Sequence, residues 1–230
     1  MKLALIILLI LCLVLCFVFH IRPDFKSIFR RSIFAKRGLY GTYAFCGPQG
    51  KGKTTNLAKY CLDKNHKIKV FSNVMMTGLD DFTYFDDFKD IYNILNDLDS
   101  GEIITNRQVV IVYDEIFTLM TKNAKLNKEI QSFLCQLRKR KIIFLTTCQS
   151  WAELPLSFRR LCRFEIDCNI LNLHIIPSIL IAVYKDAERM KWDEIEQDHV
   201  APIVWTRIAF FNKRVADMFD TRQLIKSTNF

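Results

Sequence analysis

The stretch Gly41-Thr42-Tyr43-Ala44-Phe45-Cys46-Gly47-Pro48-Gln49-Gly50-Lys51-Gly52-Lys53-Thr54-Thr55 decides the fold. It opens as a short apolar and aromatic run, passes through a glycine-rich turn, and continues from Thr54 to Leu62 with the pattern of a helix. Gly47 to Thr54 fits G-x-x-x-x-G-K-[ST] and stands where that pattern has a mechanism, between a strand and a helix start. In such a loop successive backbone N–H groups point into one concavity that wraps phosphates, and the helix adds the positive end of its dipole. The spacing assigns nucleotide binding to Gly47, Pro48, Gln49, Gly50, Lys51, Gly52, Lys53, Thr54 and Thr55. Lys53 would reach the β- and γ-phosphate oxygens and the Thr54 hydroxyl would bind Mg²⁺, so ATP and Mg²⁺ are the expected cofactors. A glycine-rich turn with no ligand is the competing reading, and the strand and helix on either side weigh against it.

Working downstream, Lys67 to Val74 reads as a strand, Phe82 to Leu98 as a helix through Phe85, Phe88, Ile91, Tyr92 and Leu95, and Val109 to Tyr113 as a fully apolar strand. Leu126 to Leu137 again has helical spacing, closed by Arg138-Lys139-Arg140-Lys141, and Ile142 to Thr146 is the next strand. The βαβαβαβ alternation predicts an α/β fold, a P-loop NTPase with a mostly parallel sheet and flanking helices, whose ligands lie at the carboxyl ends of the strands. Asp114-Glu115 ends the Val109 strand. Asp114 would hold the magnesium shell, and Glu115 would orient and deprotonate an attacking water, a pairing that points to hydrolysis rather than transfer to a small molecule. Past the Ile142 strand, Gln149 is the candidate to sense the γ-phosphate or position the water, against the plainer role of capping a turn. Arg159 and Arg160, with Arg163 behind them, are expected near the same sheet edge as candidates for a guanidinium supplied to a neighbouring subunit. Surface ion pairing is the alternative for each. Arg163 to Tyr184, interrupted by Pro177, reads as two strands or as one strand with a buried turn, and Ile203 to Phe211 is another strand-like stretch.

Working upstream, Leu3 to Phe19 carries no charge, and as a helix it would extend about 26 Å, close to a hydrocarbon core of about 30 Å once Ile21 and the flanks contribute. This is the expected single transmembrane helix. A cleaved signal peptide fits less well, because the run is long for one and no small-x-small site follows it. Arg22, Lys26, Arg30, Arg31, Lys36 and Arg37 follow, opposed by Asp24, so the positive-inside rule places the rest of the chain in the cytoplasm of a single-pass membrane protein, with lipid headgroups as contacts. The resulting division is a transmembrane anchor at 1–21, a basic juxtamembrane linker at 22–39, a P-loop ATPase domain at 40–185 and a C-terminal extension at 186–230.

The balance of 33 basic and 24 acidic residues gives +9, which suits nucleotide, nucleic acid or anionic lipid without choosing among them. Cys46, Cys61, Cys135, Cys148, Cys162 and Cys168 show no CxxC spacing, so buried reduced thiols are expected rather than a disulfide framework. No histidine stands near paired cysteines, which argues against zinc.

In motif order, from Tyr40 to Arg163, the chain resembles the additional-strand P-loop ATPases and within them the FtsK/HerA-like group that includes the Zot-like assembly proteins of filamentous phages. The resemblance is carried by Gly47 to Thr54, by Asn73 in Val70-Phe71-Ser72-Asn73-Val74, by Asp114-Glu115, and by Thr147-Cys148-Gln149-Ser150 followed by Leu154-Pro155. Ala216-Asp217-Met218-Phe219-Asp220-Thr221 is a weaker echo. The resemblance implies an inner-membrane ATPase for phage virion assembly and export or DNA packaging, a homo-oligomeric ring, and single-stranded DNA and coat or assembly proteins as partners. The chain departs from Zot-like proteins in carrying its apolar segment before the ATPase region rather than after it. A nucleotide-gated membrane scaffold with slow or no hydrolysis is the second reading, because the short chain leaves little room for a separate DNA-binding domain.

Overall fold

The computed structural model describes residues 39–120, 126–173, 176–195, 197–211, 215 and 217–219. The expected anchor and almost all of the basic linker lie outside them. No helix among the described residues is long and apolar enough to cross a membrane.

β1 (Gly41–Cys46) runs into the glycine loop and α1 (Lys53–Asp63). There follow β2 (Ile68–Ser72), β3 (Phe82–Tyr84), α2 (Asp90–Ser100), β4 (Gln108–Tyr113), α3 (Lys128–Gln136), β5 (Ile143–Cys148) and the one-turn α4 (Leu156–Arg159). β6 (Cys162–Leu173) and β7 (Ile176–Asp186) come next, then β8 (Lys191–Asp193), β9 (Asp198–Val200) and β10 (Ile203–Phe210). The main sheet has the order β10-β7-β6-β1-β5-β4-β2-β3. From β6 to β3 every pairing is parallel, whereas β7 and β10 add antiparallel strands beyond β6. β8 and β9 form a separate antiparallel pair. The sheet therefore continues through β10, well past residue 185.

One placement governs the site: β5 is inserted between β1, which leads into the loop, and β4, which ends in the acidic pair. Its register sets Cys148 beside Cys46 and Thr146 beside both Ala44 and Tyr113, so all three strands finish at one edge.

The central strands β1, β4 and β5 are buried on both sides because both faces are covered. Leu57, Ala58 and Cys61 of α1 belong to one core with Tyr43, Phe45, Val70, Val112 and Leu145. On the opposite face Ile91 and Leu95 of α2 and Ile130, Phe133 and Leu134 of α3 join Phe71, Ile111, Tyr113 and Phe144. Phe133 meets Phe144 edge-on at 5.2 Å, and Phe88 meets Phe133 at 5.7 Å. Each such fully buried ring contributes about 2–3 kcal/mol, which makes this face the anchor of the fold. Asn127 caps α3, its side chain accepting from the Glu129 N–H at 2.9 Å.

The helix expected over 82–98 is corrected. Phe82–Tyr84 is an edge strand parallel to β2, and the helix starts only at Asp90. Phe85 and Phe88 fill the core ahead of the helix, so residues split between a turn and a helix produced one helical spacing. Asp90 marks the start: its carboxylate accepts from the Asp87 N–H at 3.0 Å and the Asp86 N–H at 3.3 Å. The ambiguous stretch after Arg163 resolves into two strands, β6 and β7. Of the 216–221 echo, Met218 is buried and Phe219 bridges Met76.

Candidate nucleotide-binding site

Between β1 and α1 the backbone turns through three left-handed glycines, Gly47 (φ 149°), Gly50 (φ 78°) and Gly52 (φ 74°). At Gly47 a side chain is excluded twice over, by this φ and because a Cβ would stand 3.0 Å from the Cys168 carbonyl oxygen of β6. Gly52 occupies the cap of α1, and no side chain caps that helix end or places an acid in its first turn. The first N–H groups are thus left without a side-chain cap, which is what an anion site at a helix start needs. The Asn56 amide helps fix the turn, donating to the Gly52 carbonyl at 2.9 Å. Lys53 Nζ folds back over the loop and donates to the Pro48 carbonyl at 3.2 Å.

The acidic pair meets this loop across β5. The Thr54 hydroxyl donates to Asp114 Oδ2 at 3.3 Å, bringing together the two expected magnesium ligands from positions sixty residues apart. Asp114 is only 7% exposed, and it is held from three sides. Thr147 donates its hydroxyl hydrogen to Asp114 Oδ1, the Asp114 N–H donates to Asn73 Oδ1 at 2.8 Å, and Asn73 Nδ2 returns a bond to the Asp114 carbonyl at 3.4 Å. The same Thr147 oxygen accepts from the Glu115 N–H at 2.9 Å.

Glu115 itself sits in the left-handed region (φ 58°, ψ 54°), which costs a residue with a Cβ about 1–2 kcal/mol. Its carbonyl is held by the Thr118 N–H at 3.0 Å and the Thr118 hydroxyl at 2.9 Å. Strain of this kind, fixed by its surroundings, re-aims the side chain after β4 and gathers at functional positions.

Both carboxyls are pushed above their ordinary range. For Asp114 the cause is burial, countered by the Thr147 and Thr54 hydroxyls, the Lys53 charge and the Glu115 N–H. For Glu115 it is burial and then the neighbouring Asp114 charge, countered by Lys53. Neither carboxylate has an ion-pair partner among the described residues, so the pair keeps bonding capacity for a cation and a water.

ATP and Mg²⁺ fit this arrangement. An uncapped helix start, a left-handed glycine loop and Lys53 suit phosphates, and a hydroxyl oxygen beside a buried carboxylate suits a hard cation that keeps several waters. Thr55, third in α1, is half-buried, whereas Pro48, Gln49 and Lys51 are exposed on the loop.

The other sequence candidates fall apart in space. Gln149 follows β5 at the correct edge with its side chain exposed, and its neighbour Thr147 makes the contacts to the acidic pair. The arginines are not beside their own loop, which corrects the expectation that they share its edge. Their segment enters β6 where Cys162 pairs with Thr42, roughly 17 Å along β1 from Gly47. Arg159 is 5% exposed and bonds both oxygens of Asp198 at 2.9 and 3.0 Å, tying α4 to β9. Arg163 is buried against Asp186 at 2.9 Å, and Arg160 is exposed. Thr147 and Asn73 carry no chemical motif of their own in the sequence. Each stands at a strand end, and the only signal was that a polar residue there faces the ligand edge of a parallel sheet.

No protein-family profile matches the chain, and no curated protein sequence matches it. Among solved structures the chain is similar to the N-terminal domain of zonular occludens toxin from Neisseria meningitidis, at 17% identity and a TM-score of 0.49 over 78% of this chain and 98% of that one. It is also similar to the DNA-packaging ATPase B204 of Sulfolobus turreted icosahedral virus, at 13% identity and a TM-score of 0.43 over 71% of this chain and 98% of that one. The genome-packaging NTPase B204 of Sulfolobus turreted icosahedral virus 2, in complex with ATP-γ-S, is similar over 55% of this chain and 74% of that one, at 16% identity and a TM-score of 0.43. These partial likenesses stand beside the site, whose chemistry rests on its own geometry.

Proposed function

We propose that this chain is a membrane-anchored ATPase that hydrolyses ATP, with Mg²⁺, to drive phage virion assembly and export or the packaging and translocation of DNA. The observation that carries hydrolysis is the 3.3 Å contact between Thr54 of the loop and Asp114, with Glu115 beside it. In this reading Lys53 and the loop N–H groups bind the β- and γ-phosphates, Thr54 and Asp114 hold the cation, and Glu115 takes a proton from the attacking water. The bound cation supplies charge neutralisation on the phosphate oxygens. The seventeen-residue uncharged run at 3–19 and its basic flank support a single-pass inner-membrane protein with this domain in the cytoplasm. The resemblance in motif order to Zot-like assembly ATPases supports the coupling to virion assembly, a homo-oligomeric ring, and contacts with single-stranded DNA, coat proteins and membrane lipid.

The test is steady-state turnover of Mg-ATP by the full chain in detergent, with and without single-stranded DNA. Lys53→Ala is expected to lose ATP binding, and Glu115→Gln to bind ATP without turning it over. Equal hydrolysis by Glu115→Gln and the parent would refute the assigned base.

The second reading, a nucleotide-gated membrane scaffold with slow or no hydrolysis, draws on the arginines. Arg159 is committed to Asp198, and Arg160 lies away from its own loop. Turnover that is indifferent to single-stranded DNA favours the scaffold; stimulation favours the motor.

A further inference from the structure

A cavity opens at the end of the sheet opposite the glycine loop, where ligands of α/β folds are not ordinarily found. It holds about 520 Å³ and is walled by Tyr40 ahead of β1, Gln108 at the start of β4, Ile142 ahead of β5, and the segment after α2. A volume of that order accommodates a small organic ligand.

The lining is cationic. Arg107, Arg140 and Lys141 face Asp99 as the lining acid, so three positive charges less one negative leave +2. Asp99 takes one nitrogen of Arg140 at 2.7 Å. The other, Arg140 Nη1, is buried and donates to no acceptor among the described residues, and so is Arg107 Nη1. Asp81 gives Arg107 an ion pair but no hydrogen bond, its Oδ2 standing 4.0 Å from that nitrogen while its Oδ1 accepts from Lys69 at 2.7 Å. The arginines that line the cavity are thus not saturated by protein acceptors, and the planar fork of a guanidinium suits phosphate above other anions.

Lys141 adds a second, independent feature. The chain leaves α3 in a Schellman turn, Ile142 N–H bonding the Leu137 carbonyl at 2.9 Å and Lys141 N–H the Arg138 carbonyl at 3.2 Å. The left-handed residue of that turn is ordinarily glycine, yet Lys141 occupies it at φ 56°. Gln108 pins the turn, its Nε2 donating to the Lys141 carbonyl. A cation is thus held at the cavity rim in a conformation that glycine would adopt without strain.

We propose that this cavity binds a phosphate group, carried by a lipid headgroup or free in solution, through Arg107, Arg140 and Lys141. The headgroup source has a reason on the page: Tyr40 lines the cavity and comes three residues after the basic stretch 22–37 that succeeds the uncharged run. The site itself does not rest on the anchor or on ATP hydrolysis, because phosphate alone tests it.

The experiment titrates the full chain in neutral detergent by calorimetry, on a Lys53→Ala background so that the glycine loop takes no phosphate, with chloride matched for ionic strength. Inorganic phosphate and dihexanoyl phosphatidic acid are the two arms. Saturable binding is expected, weakened at least tenfold by Arg107→Gln with Arg140→Gln and about threefold by Lys141→Gly. Lys141→Gly is also expected to melt at or above the parent's temperature, so it remains informative if the arginine pair fails to fold. Phosphatidic acid binding tenfold tighter than phosphate identifies a headgroup site, and equal affinities identify a free-phosphate site. Absence of binding in both arms, affinities unmoved by these substitutions, or binding by a single-stranded oligonucleotide and neither small anion overturns the proposal.

Discussion

The glycine-loop edge of the sheet and the α4–β6 corner at its other end treat charge in opposite ways. At the carboxyl edge, Asp114 and Glu115 are surrounded by hydroxyls, backbone N–H groups and Lys53, and neither is tied into an ion pair among the described residues. At the amino edge, Arg163 is closed between Asp186 and Glu188, and Arg159 by Asp198. A buried charge without a dedicated counter-ion stabilises little and retains affinity for a ligand, whereas a buried charge with one is committed to the fold. The loop edge should therefore fail chemically when altered, and the Arg159 and Arg163 corner should fail structurally.

The largest effect expected is at the chemical edge. Glu115→Gln should lower kcat by about 10³ or more, near 4 kcal/mol of barrier, with ATP affinity kept. Its melting temperature should stay close to the parent's, since the half-buried side chain anchors no ion pair. Single-turnover kinetics with nucleotide-binding and melting measurements on one preparation separate the two. A large loss of stability would break the contrast.

Arg163→Met is the mirror image. Its partner Asp186 is 3% exposed and would keep only the exposed Arg189, 3.5 Å away, so removal of the guanidinium should cost about 3 kcal/mol of stability. Chemical denaturation measures that loss. Turnover per folded molecule should be unchanged, because Arg163 stands a strand's length from the loop.

Much of this contrast was readable from residues alone. The loop edge was legible because its determinants are local: a glycine pattern between a strand and a helix, and two carboxylates at the end of an apolar run. β6 and β7 were half legible, as apolar stretches whose pairing no local pattern fixes. The amino edge was illegible. Arg163 and Asp186 are joined by antiparallel register across β6 and β7, and Arg159 and Asp198 by the placement of a three-residue strand. Periodicity ends the strand at Thr146 and so points to Gln149 rather than Thr147, while in the structure β5 continues to Cys148. That extension carries the Thr147 hydroxyl to the acidic pair.

Between the edges lies Glu165, on β6 beside Ala44, with Lys185 at 2.9 Å. Burial pushes its carboxyl up to about 7, Lys185 pulling it back and Asp167 adding to the rise. A carboxyl raised in the folded state binds its proton more tightly there than in the unfolded chain. Its stabilising contribution is full below the ordinary glutamate value of about 4.3 and is lost as pH rises through about 7. Denaturation midpoints should fall across that window, by on the order of 2 kcal/mol, and Glu165→Gln should flatten the slope. A slope unchanged in Glu165→Gln would assign the dependence elsewhere.

The smallest effect sharpens the comparison most. Glu115 holds a left-handed conformation that its own Cβ opposes, so the chemical edge is not merely neutral to stability but costs some. Glu115→Gly removes the Cβ together with the carboxylate, and Glu115→Gln removes only the charge. Both should abolish turnover, yet the glycine variant should be the more stable of the two by about 1 kcal/mol, the left-handed strain relieved less the entropy glycine adds to the unfolded chain. Equilibrium denaturation of the pair reads the difference directly. Equal stabilities would mean that the turn is held without strain by Thr118 and Thr147. The expected difference would mean that the fold gives up stability to aim one carboxylate, a trade that the ion-paired arginines at the other edge do not make.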